Sequence, residues 1–241
     1  MRACYNTSIM AFIRYDSFFL HEPLAASGII AGFTTRAFAG TAVPDDIGRI
    51  GQTLGLPSAS CVYLTQVHGN RVHEVTGTAG FPREGDGLMT QQKNIFLVIR
   101  TADCAPVFII NKKTRAGCLL HAGWRSARAR IVPYALASFS AFRKEEENIY
   151  ALIGPHLRKE CFEVTEEFCR ETLFTEWISG KNGRLTFDLT GFIIRELTEA
   201  GISPGHITDC GFCSVCKNDL FYSYRTEQQP PQRTLSFMGI S

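Results

Sequence analysis

Residues 95–122 read IFLVIRTADCAPVFIINKKTRAGCLLHA and contain three apolar runs: Ile95 to Ile99, Val107 to Ile110 and Gly117 to Leu120. Each run has the length of a strand and lacks polar interruptions, which is typical of strands buried on both faces, beneath helices or beneath a second sheet. Two more strands are predicted outside this stretch, at Gly28 to Phe33 and at Val62 to Val67. The sequence therefore predicts a layered α/β fold.

Three helices are predicted after these strands. Residues 125–142 follow a helical pattern in which Pro133 lies near a first turn or at a kink. Val164 to Phe174 is the second helix, and Leu189 to Ala200, with Asp188 as its N-cap, is the third. Strand patterning returns at 220–224 and 235–240, and the polar, proline-rich residues 226–231 between them predict an exposed loop.

Composition limits the class of protein. The chain has 241 residues, of which 45% are hydrophobic and 20% charged, enough for one substantial domain over residues 1–241. Its net charge is +2 and its basic residues are scattered, so we expect neither a nucleic-acid nor a membrane partner. Without a signal sequence or an 18-residue apolar run, we expect a cytoplasmic protein whose nine cysteines are thiols or metal ligands. The oligomeric state stays open.

Three short segments place potential metal ligands directly after apolar strands. They contain His68, Cys104 and His121. A side chain at a strand end is held by the sheet while its tip reaches a cleft, so residues far apart in sequence can share one site. Two imidazoles and a thiolate suit Zn²⁺, and three protein ligands leave a fourth position open, as in catalytic zinc sites. Spacing alone leaves a second interpretation open, in which these are hydrogen-bonded or buried core residues.

A set of ordered motifs surrounds these candidates and resembles the laccase-domain family, once called multicopper polyphenol oxidases. The resemblance covers nearly the whole chain. The motifs are Gly32-Phe33-Thr34-Thr35-Arg36, Gln66-Val67-His68-Gly69, Asp86-Gly87-Leu88-Met89-Thr90, Thr101-Ala102-Asp103-Cys104-Ala105-Pro106-Val107, His121-Ala122-Gly123-Trp124-Arg125, Ile153-Gly154-Pro155 and Phe221-Tyr222-Ser223-Tyr224-Arg225.

The resemblance implies a fold, a ligand set and an activity. The fold is a single-domain layered α/β sandwich with mixed sheets, α/β/β/α-like. His68, Cys104 and His121 match the positions of the family's zinc ligands. The family is regarded as purine nucleoside phosphorylases that also deaminate adenosine and cleave methylthioadenosine, so the expected partners are purine nucleosides and phosphate. Zinc lowers the pKa of water and supplies the nucleophile that deamination at C6 of adenine requires.

The phosphate is assigned to arginine and hydroxyl donors. Arg36 is the first candidate, with Thr34 and Thr35 beside it, because a planar guanidinium binds oxyanions through two parallel hydrogen bonds. Arg125 and Arg225 are held in reserve, since each is equally suited to a structural ion pair. Asp103 is expected either to orient a ligand or accept a proton, or else to cap backbone amides.

Three further cysteines, Cys210, Cys213 and Cys216, form a C-x₂-C-x₂-C pattern of the kind seen in iron–sulfur and structural zinc sites. Because no fourth cysteine follows, we interpret them as buried thiols rather than a cluster. Cys161 and Cys169 are interpreted as core residues.

Three other functions compete with the phosphorylase. A true laccase needs many histidines, several as H-x-H pairs, whereas this chain has six histidines and no such pair, although Cu²⁺ suits the same single site. A cysteine hydrolase would use Cys104 as nucleophile and His121 as base, with Asp103 or another acid orienting it. The third alternative is a binding module for cell-wall or signalling ligands, without catalysis.

Overall fold

The computed structural model describes residues 11–38, 43–53, 60–142, 146–181, 183–228 and 232–241. The strands are β1 (Phe12–Arg14), β2 (Phe18–His21), β3 (Ile29–Thr34), β4 (Ser60–Val62), β5 (Leu64–Thr65), β6 (Val72–Glu74), β7 (Arg83–Glu84), β8 (Gly87–Thr90), β9 (Ile95–Thr101), β10 (Ala105–Asn111), β11 (Ala116–Ala122), β12 (Ile149–Ile153), β13 (Glu163–Val164), β14 (Ile178–Lys181), β15 (Arg184–Phe187), β16 (Ile207–Asp209) and β17 (Thr234–Ile240). The helices are α1 (Glu22–Ala25), α2 (Val43–Thr53), α3 (Trp124–Arg128), α4 (Ile131–Ser138), α5 (Leu189–Glu199) and α6 (Tyr224–Glu227). Short 3₁₀ helices occupy Ser140–Phe142, Glu146–Asn148, Phe168–Arg170, Thr172–Trp177 and Pro204–His206.

Two six-stranded sheets form the centre of the molecule. The first has the order β1-β2-β3-β17-β9-β4, and the second has the order β16-β12-β10-β11-β8-β6. Both are mixed: β17 runs antiparallel to β3 and β9 while β4 runs parallel to β9, and β10 runs antiparallel to β11 while β12 runs parallel to β16. A three-stranded sheet, β13-β15-β14, and the parallel pair β5-β7 complete the described pairing.

The side chains of β10 alternate between two layers of core, as the two-residue period of a strand requires. Phe108 and Ile110 pack among residues of β3 and β9, between the two large sheets. Val107 and Ile109 pack on the other side among residues of α4 and α5. A third cluster joins the outer face of the first sheet to Ile50 of α2. Helix, sheet, sheet and helix follow one another, which confirms the predicted α/β/β/α-like layering.

The helix predicted over residues 125–142 is two helices. The chain breaks at Arg130, whose φ of 61° is left-handed, and Pro133 then lies in the first turn of α4, where its missing N–H costs nothing. Helix α5 begins as predicted, because the Asp188 side chain accepts a hydrogen bond from the Gly191 N–H at 2.9 Å.

The helix predicted over Val164 to Phe174 is wrong. Strand β13 includes Val164 and pairs with β15, and two short 3₁₀ helices follow. The Phe168 and Phe174 rings stack with centroids 5.5 Å apart, and both contact the buried Phe187. This aromatic packing overrides the local helical pattern.

The strand predicted at residues 220–224 is also wrong. Ser223 caps α6 by accepting a hydrogen bond from the Thr226 N–H at 3.3 Å. The predicted loop over 226–231 therefore starts inside a helix, and residues 229–231 lie outside the described part of the chain. None of the described helices is long and apolar enough to cross a bilayer.

Candidate metal centre and cleft

His68 lies on a loop that begins after Thr65, before the predicted end of the strand at Val67. The strand predicted over 62–67 divides into β4 and β5, and the loop follows β5. His68 has a left-handed φ of 60° and is exposed. The buried carboxylate of Asp86 accepts backbone hydrogen bonds from Val67 (3.3 Å), His68 (2.9 Å) and Gly69 (2.6 Å). One charge therefore fixes three consecutive amides and holds the loop in its unusual conformation.

Gln66 fixes the same loop from the other side. Its side-chain oxygen accepts the N–H of Arg100, and its amide nitrogen donates to the Arg100 carbonyl, both at 2.8 Å. This reciprocal pair ties the loop to β9, the strand that leads into Cys104.

His121 is the sixth residue of β11 and is almost fully buried. Its ring Nδ1 donates a hydrogen bond to Asp86 Oδ1 at 2.8 Å, and its backbone N–H donates to the Asp86 carbonyl at 2.7 Å. When Nδ1 of an imidazole carries the proton, the unprotonated Nε2 has a lone pair that can bind a metal. Metal-binding histidines commonly have a carboxylate that accepts the hydrogen bond from the other ring nitrogen. Asp86 thus orients both histidines, one through its ring and one through its backbone.

Cys104 is brought to His121 by strand register. Ala105 pairs with Ala122 across β10 and β11, so the next pair outward places Cys104 opposite Gly123. A Cβ atom added to Gly123 would lie 2.6 Å from Cys104 Sγ and 3.4 Å from His68 Cδ2. Glycine is required there because the thiol and the imidazole occupy the space that any side chain would need.

The donor atoms of His68, Cys104 and His121 lie within 4.8 Å of one another. Burial opposes the charged forms of Cys104 and His121, but their mutual attraction outweighs it. The two imidazoles lower the pKa of the Cys104 thiol, and the thiolate together with Asp86 raises the pKa of His121. The structure therefore brings together three donors of the types that zinc prefers, with the thiol disposed to ionise.

A cleft of about 880 Å³ opens over these three residues. Its described lining contains four arginines: Arg100, Arg125, Arg225 and Arg233. It also contains five large apolar or aromatic side chains: Trp124, Leu157, Phe162, Leu189 and Tyr224. Guanidinium groups bind oxyanions and aromatic rings stack on flat heterocycles, so the cleft suits a ligand with both features.

Asp103 caps backbone and is not a free base in the cleft. Its Oδ1 accepts a hydrogen bond from Ser214 Oγ and its Oδ2 accepts one from the Arg225 N–H, both at 2.6 Å. Its carbonyl accepts the Leu157 N–H at 2.8 Å, and its φ of 85° is left-handed. Of the two roles expected for Asp103, the structure shows the capping one.

The first candidates for phosphate binding lie away from the cleft. The Arg36 guanidinium forms an ion pair with Glu227, donates to the Phe221 carbonyl and stacks on Tyr222. Thr34 and Thr35 are buried: the Thr34 hydroxyl accepts the Leu235 N–H, and the Thr35 hydroxyl donates to the Ser17 carbonyl. Arg36 therefore ties the chain after β3 to the segment around α6, whereas Thr34 and Thr35 bond to Leu235 of β17 and to Ser17 before β2. None of the three lines the cleft, so the structure does not support their assignment to phosphate.

The two reserve arginines do lie in the cleft. Arg125 is exposed at the start of α3, with its guanidinium 4.3 Å from the centre of the Trp124 ring. Arg225 lies in α6 and donates from Nη2 to the Glu163 carbonyl at 3.0 Å. His73 lies outside the cleft lining, where its Nε2 bonds to the Glu84 carbonyl at 2.8 Å.

Sequence reasoning missed the role of Asp86 and of the cleft residues Arg100, Tyr224 and Arg233. Asp86 stands inside a quoted motif, directly before the buried strand β8, and a lone carboxylate before an all-buried strand was the available signal. Tyr224 stands inside another quoted motif and Arg100 directly precedes one, whereas Arg233 lies outside all of them.

The chain is similar to known proteins over most of its length. The family described as multi-copper polyphenol oxidoreductase laccase matches residues 39–241. A purine nucleoside phosphorylase of Aquifex aeolicus is 32% identical over 69% of this chain and 77% of its own length. The purine nucleoside phosphorylase YlmD of Geobacillus stearothermophilus is 28% identical over 83% of this chain and 79% of its own. The crystal structure of YlmD from that organism has a TM-score of 0.85 at 22% identity, over 95% of this chain and 98% of the other, and shows the same fold.

Proposed function

The chain belongs to the multi-copper polyphenol oxidoreductase laccase family, and we propose that it acts as a purine nucleoside phosphorylase in a single catalytic domain spanning residues 1–241. The substrates are adenosine, inosine, guanosine or methylthioadenosine with phosphate, and the products are the free base and the sugar 1-phosphate. The same site deaminates adenosine. The observation that carries the proposal is one cleft that combines four arginines with the group of His68, Cys104 and His121.

The metal in this proposal is Zn²⁺, held by His68, Cys104 and His121. The donor set is suited to it, since Nε2 of His121 is left free by Asp86 and the Cys104 pKa is lowered. Zinc at this position would supply Lewis acidity and would bring the pKa of water toward neutrality, which is what deamination of adenine needs. Cu²⁺ suits the same donors and is the alternative occupant.

The arginines bind the phosphate. In phosphorolysis a phosphate oxygen forms a bond to C1′ while the bond from C1′ to the purine nitrogen breaks, and the electron pair leaves on the purine. We assign the phosphate to Arg125 and Arg225, because both line the cleft that also contains His68, Cys104 and His121. Tyr224, whose ring is 54% exposed, and Trp124 offer faces on which the purine can stack.

One observation favours a second candidate. Cys104, His121 and Asp86 form a row in which the thiol faces the imidazole and the imidazole bonds the carboxylate, as in cysteine hydrolases. Asp86, not Asp103, is the orienting acid in that interpretation. The position of His68 argues against it, because a cysteine hydrolase has no use for a second imidazole within 4.8 Å of the thiol. A multicopper oxidase is less well supported, since only one of the two described metal-competent groups contains histidine.

The decisive experiment incubates the purified protein with adenosine, with and without phosphate, and separates the products. We expect adenine and ribose 1-phosphate only with phosphate, and inosine in both tubes. His68→Ala should lose both the metal and both products, whereas His73→Ala, outside the cleft, should keep them. If the wild type forms no adenine, hypoxanthine or inosine in either tube, the phosphorylase and deaminase proposals are both wrong, and a binding module is favoured. Turnover by metal-free protein that stops when Cys104 is alkylated would establish the hydrolase instead.

A further inference from the structure

A second group of thiols lies outside the cleft and is not the one that the sequence spacing suggests. The sulfur atoms of Cys161, Cys213 and Cys216 lie within 4.8 Å of one another, and those of Cys161 and Cys216 are 3.4 Å apart. Cys210 is excluded, because its side chain is buried in the apolar cluster between the two large sheets. The third sulfur is supplied instead by Cys161, from a turn 52 positions before Cys213.

We propose that Cys161, Cys213 and Cys216 form a second metal site, which binds a thiophilic d¹⁰ cation, Zn²⁺ in the first instance, through three thiolates. Thiolates about 2.3 Å from a tetrahedral zinc lie roughly 3.8 Å apart, so the observed separations need only small rotations of the side chains. Cys213 is buried, Cys161 half-buried and Cys216 exposed, so the group opens to solvent on one side. That side is where a fourth ligand enters.

The backbone around Cys213 is already arranged to stabilise a thiolate. The backbone N–H groups of Cys216, Arg158 and Val215 lie near its sulfur, where they can donate hydrogen bonds to a thiolate. Two of those amides belong to the Cys213-Ser214-Val215-Cys216 turn itself. A C-x₂-C turn whose own amides point at its first sulfur is prepared for a metal before the metal arrives.

The two segments that carry the thiols are fixed to each other. The Ser214 N–H donates to the His156 carbonyl at 3.0 Å, and Cys213 forms a parallel bridge with His156. The Cys161 N–H donates to the Arg158 carbonyl at 2.9 Å, which closes the turn that brings its sulfur back toward Cys216. The site is therefore preorganised, and little chain entropy is lost when a metal binds.

The cysteine group is connected to the wall of the cleft. Ser214, between the two cysteines of the turn, donates to the Asp103 carboxylate at 2.6 Å, and Asp103 directly precedes Cys104. Phe162, next to Cys161, lines the cleft. A metal that ties the two segments together therefore stiffens one wall of the cleft.

The test counts metal equivalents in the full chain. The protein is reduced, stripped with a chelator under argon and titrated with Zn²⁺ against a chromophoric chelator. We expect two equivalents for wild type, one for Cys216→Ser and two for Cys169→Ser, whose half-buried thiol lies outside both groups. His68→Ala should also bind one, and the pair His68→Ala with Cys216→Ser none. Equal counts for wild type and Cys216→Ser would overturn the second site, whereas equal counts for wild type and His68→Ala would overturn only the metal of the proposed function.

Two further measurements do not depend on counting metal equivalents. Cd²⁺ added to His68→Ala should produce the ultraviolet sulfur-to-metal absorption of a thiolate site, and Zn²⁺ should slow the alkylation of Cys216 by N-ethylmaleimide in wild type. No slowing, or a Cys161–Cys216 disulfide in protein isolated without reductant together with only one metal equivalent after reduction, would overturn the proposal and make the pair a redox couple.

Discussion

The Nδ1 atom of His121 donates a hydrogen bond to Oδ1 of Asp86 at 2.8 Å, inside a fully buried contact that no solvent reaches. The same carboxylate also accepts three amides of the loop that carries His68. Two donor groups from different elements are therefore aligned by one side chain. Asp86 itself remains charged, because burial, which opposes ionisation, is outweighed by His121 and the amides, and the net effect lowers its pKa.

Asp86→Asn should weaken metal binding by about tenfold to a hundredfold, since the supporting carboxylate of a histidine ligand contributes on that scale. An amide cannot accept from His121 and three amides as strongly, so both histidines lose alignment. Chelator competition measures the affinity, and circular dichroism checks the fold. Asp219→Asn, at an exposed carboxylate, is the control and should bind like wild type. Unchanged affinity in Asp86→Asn would show that the His68 loop and the His121 ring keep their orientation without the carboxylate.

Gly123→Ala should abolish metal binding by His68, Cys104 and His121 with little loss of fold stability. The added methyl would lie 2.6 Å from Cys104 Sγ, so the thiol must move away from the imidazoles. Gly69→Ala is the matched control, because its added methyl meets nothing closer than 3.7 Å although it lies in the same centre. Metal content measures the loss of binding in both variants, and thermal melting measures their stability. Full metal occupancy in Gly123→Ala would contradict the steric argument.

Arg125→Ala and Arg225→Ala should each raise the KM for phosphate by about tenfold to a hundredfold, the equivalent of losing a hydrogen bond to a charged group. The KM for the nucleoside should change less. Arg36→Ala should behave in the opposite way: it removes the ion pair with Glu227, so it should lower the melting temperature and leave the phosphate KM near that of wild type. A phosphate KM that moves only in Arg36→Ala would return the phosphate site to its first assignment.

Glu196 should make stability fall as the pH rises. It is buried in α5 at 1% exposure, and Arg130 Nε lies 3.2 Å from its carboxylate without the alignment of a hydrogen bond. Burial, against the pull of Arg130, raises the pKa of Glu196 from 4.5 to about 8. The folded chain therefore holds a proton that the unfolded chain releases above pH 4.5, and this contribution to stability is lost between about pH 4.5 and pH 8.

Glu196→Gln removes that titration. Relative to wild type, the variant should gain about 1–3 kcal/mol of stability between pH 5 and pH 8.5, because its side chain is neutral without taking up a proton on folding. Urea unfolding at several pH values measures it. Glu74→Gln, at an exposed carboxylate of β6 that has no part in the Glu196 shift, should track wild type at every pH. Parallel curves for wild type and Glu196→Gln would mean that Arg130 keeps the carboxylate ionised.

The sequence was informative where the physical cause is local or repeated along the chain. Uninterrupted apolar runs predicted strands β9, β10 and β11, and strand ends next to His68, Cys104 and His121 predicted residues that the structure brings together. The helix at α5 was readable from its cap, because Asp188 acts within one turn.

The features that the sequence did not predict depend on contacts between residues far apart in the chain. Arg36 has the chemistry of a phosphate ligand, but its partner Glu227 is 191 positions away and no local signal announces the pair. The interpretation of Cys210, Cys213 and Cys216 as buried thiols is wrong for Cys216, which is exposed, and the fold brings Cys161, expected in the core, beside Cys213 and Cys216. Residues 164–174 look helical until the aromatic cluster around Phe187 is known.

The placement of β17 has a consequence for how the protein is made. This strand is the last in chain order, but it lies in the middle of the first large sheet, with Phe237 opposite both Gly32 of β3 and Val98 of β9. Until residues 234–240 leave the ribosome, β3 and β9 have no partner between them and expose adjoining strand edges. Closing a gap of about 200 residues is slow, so these two edges stay open to aggregation for longer than the edges of strands that pair with near neighbours in sequence.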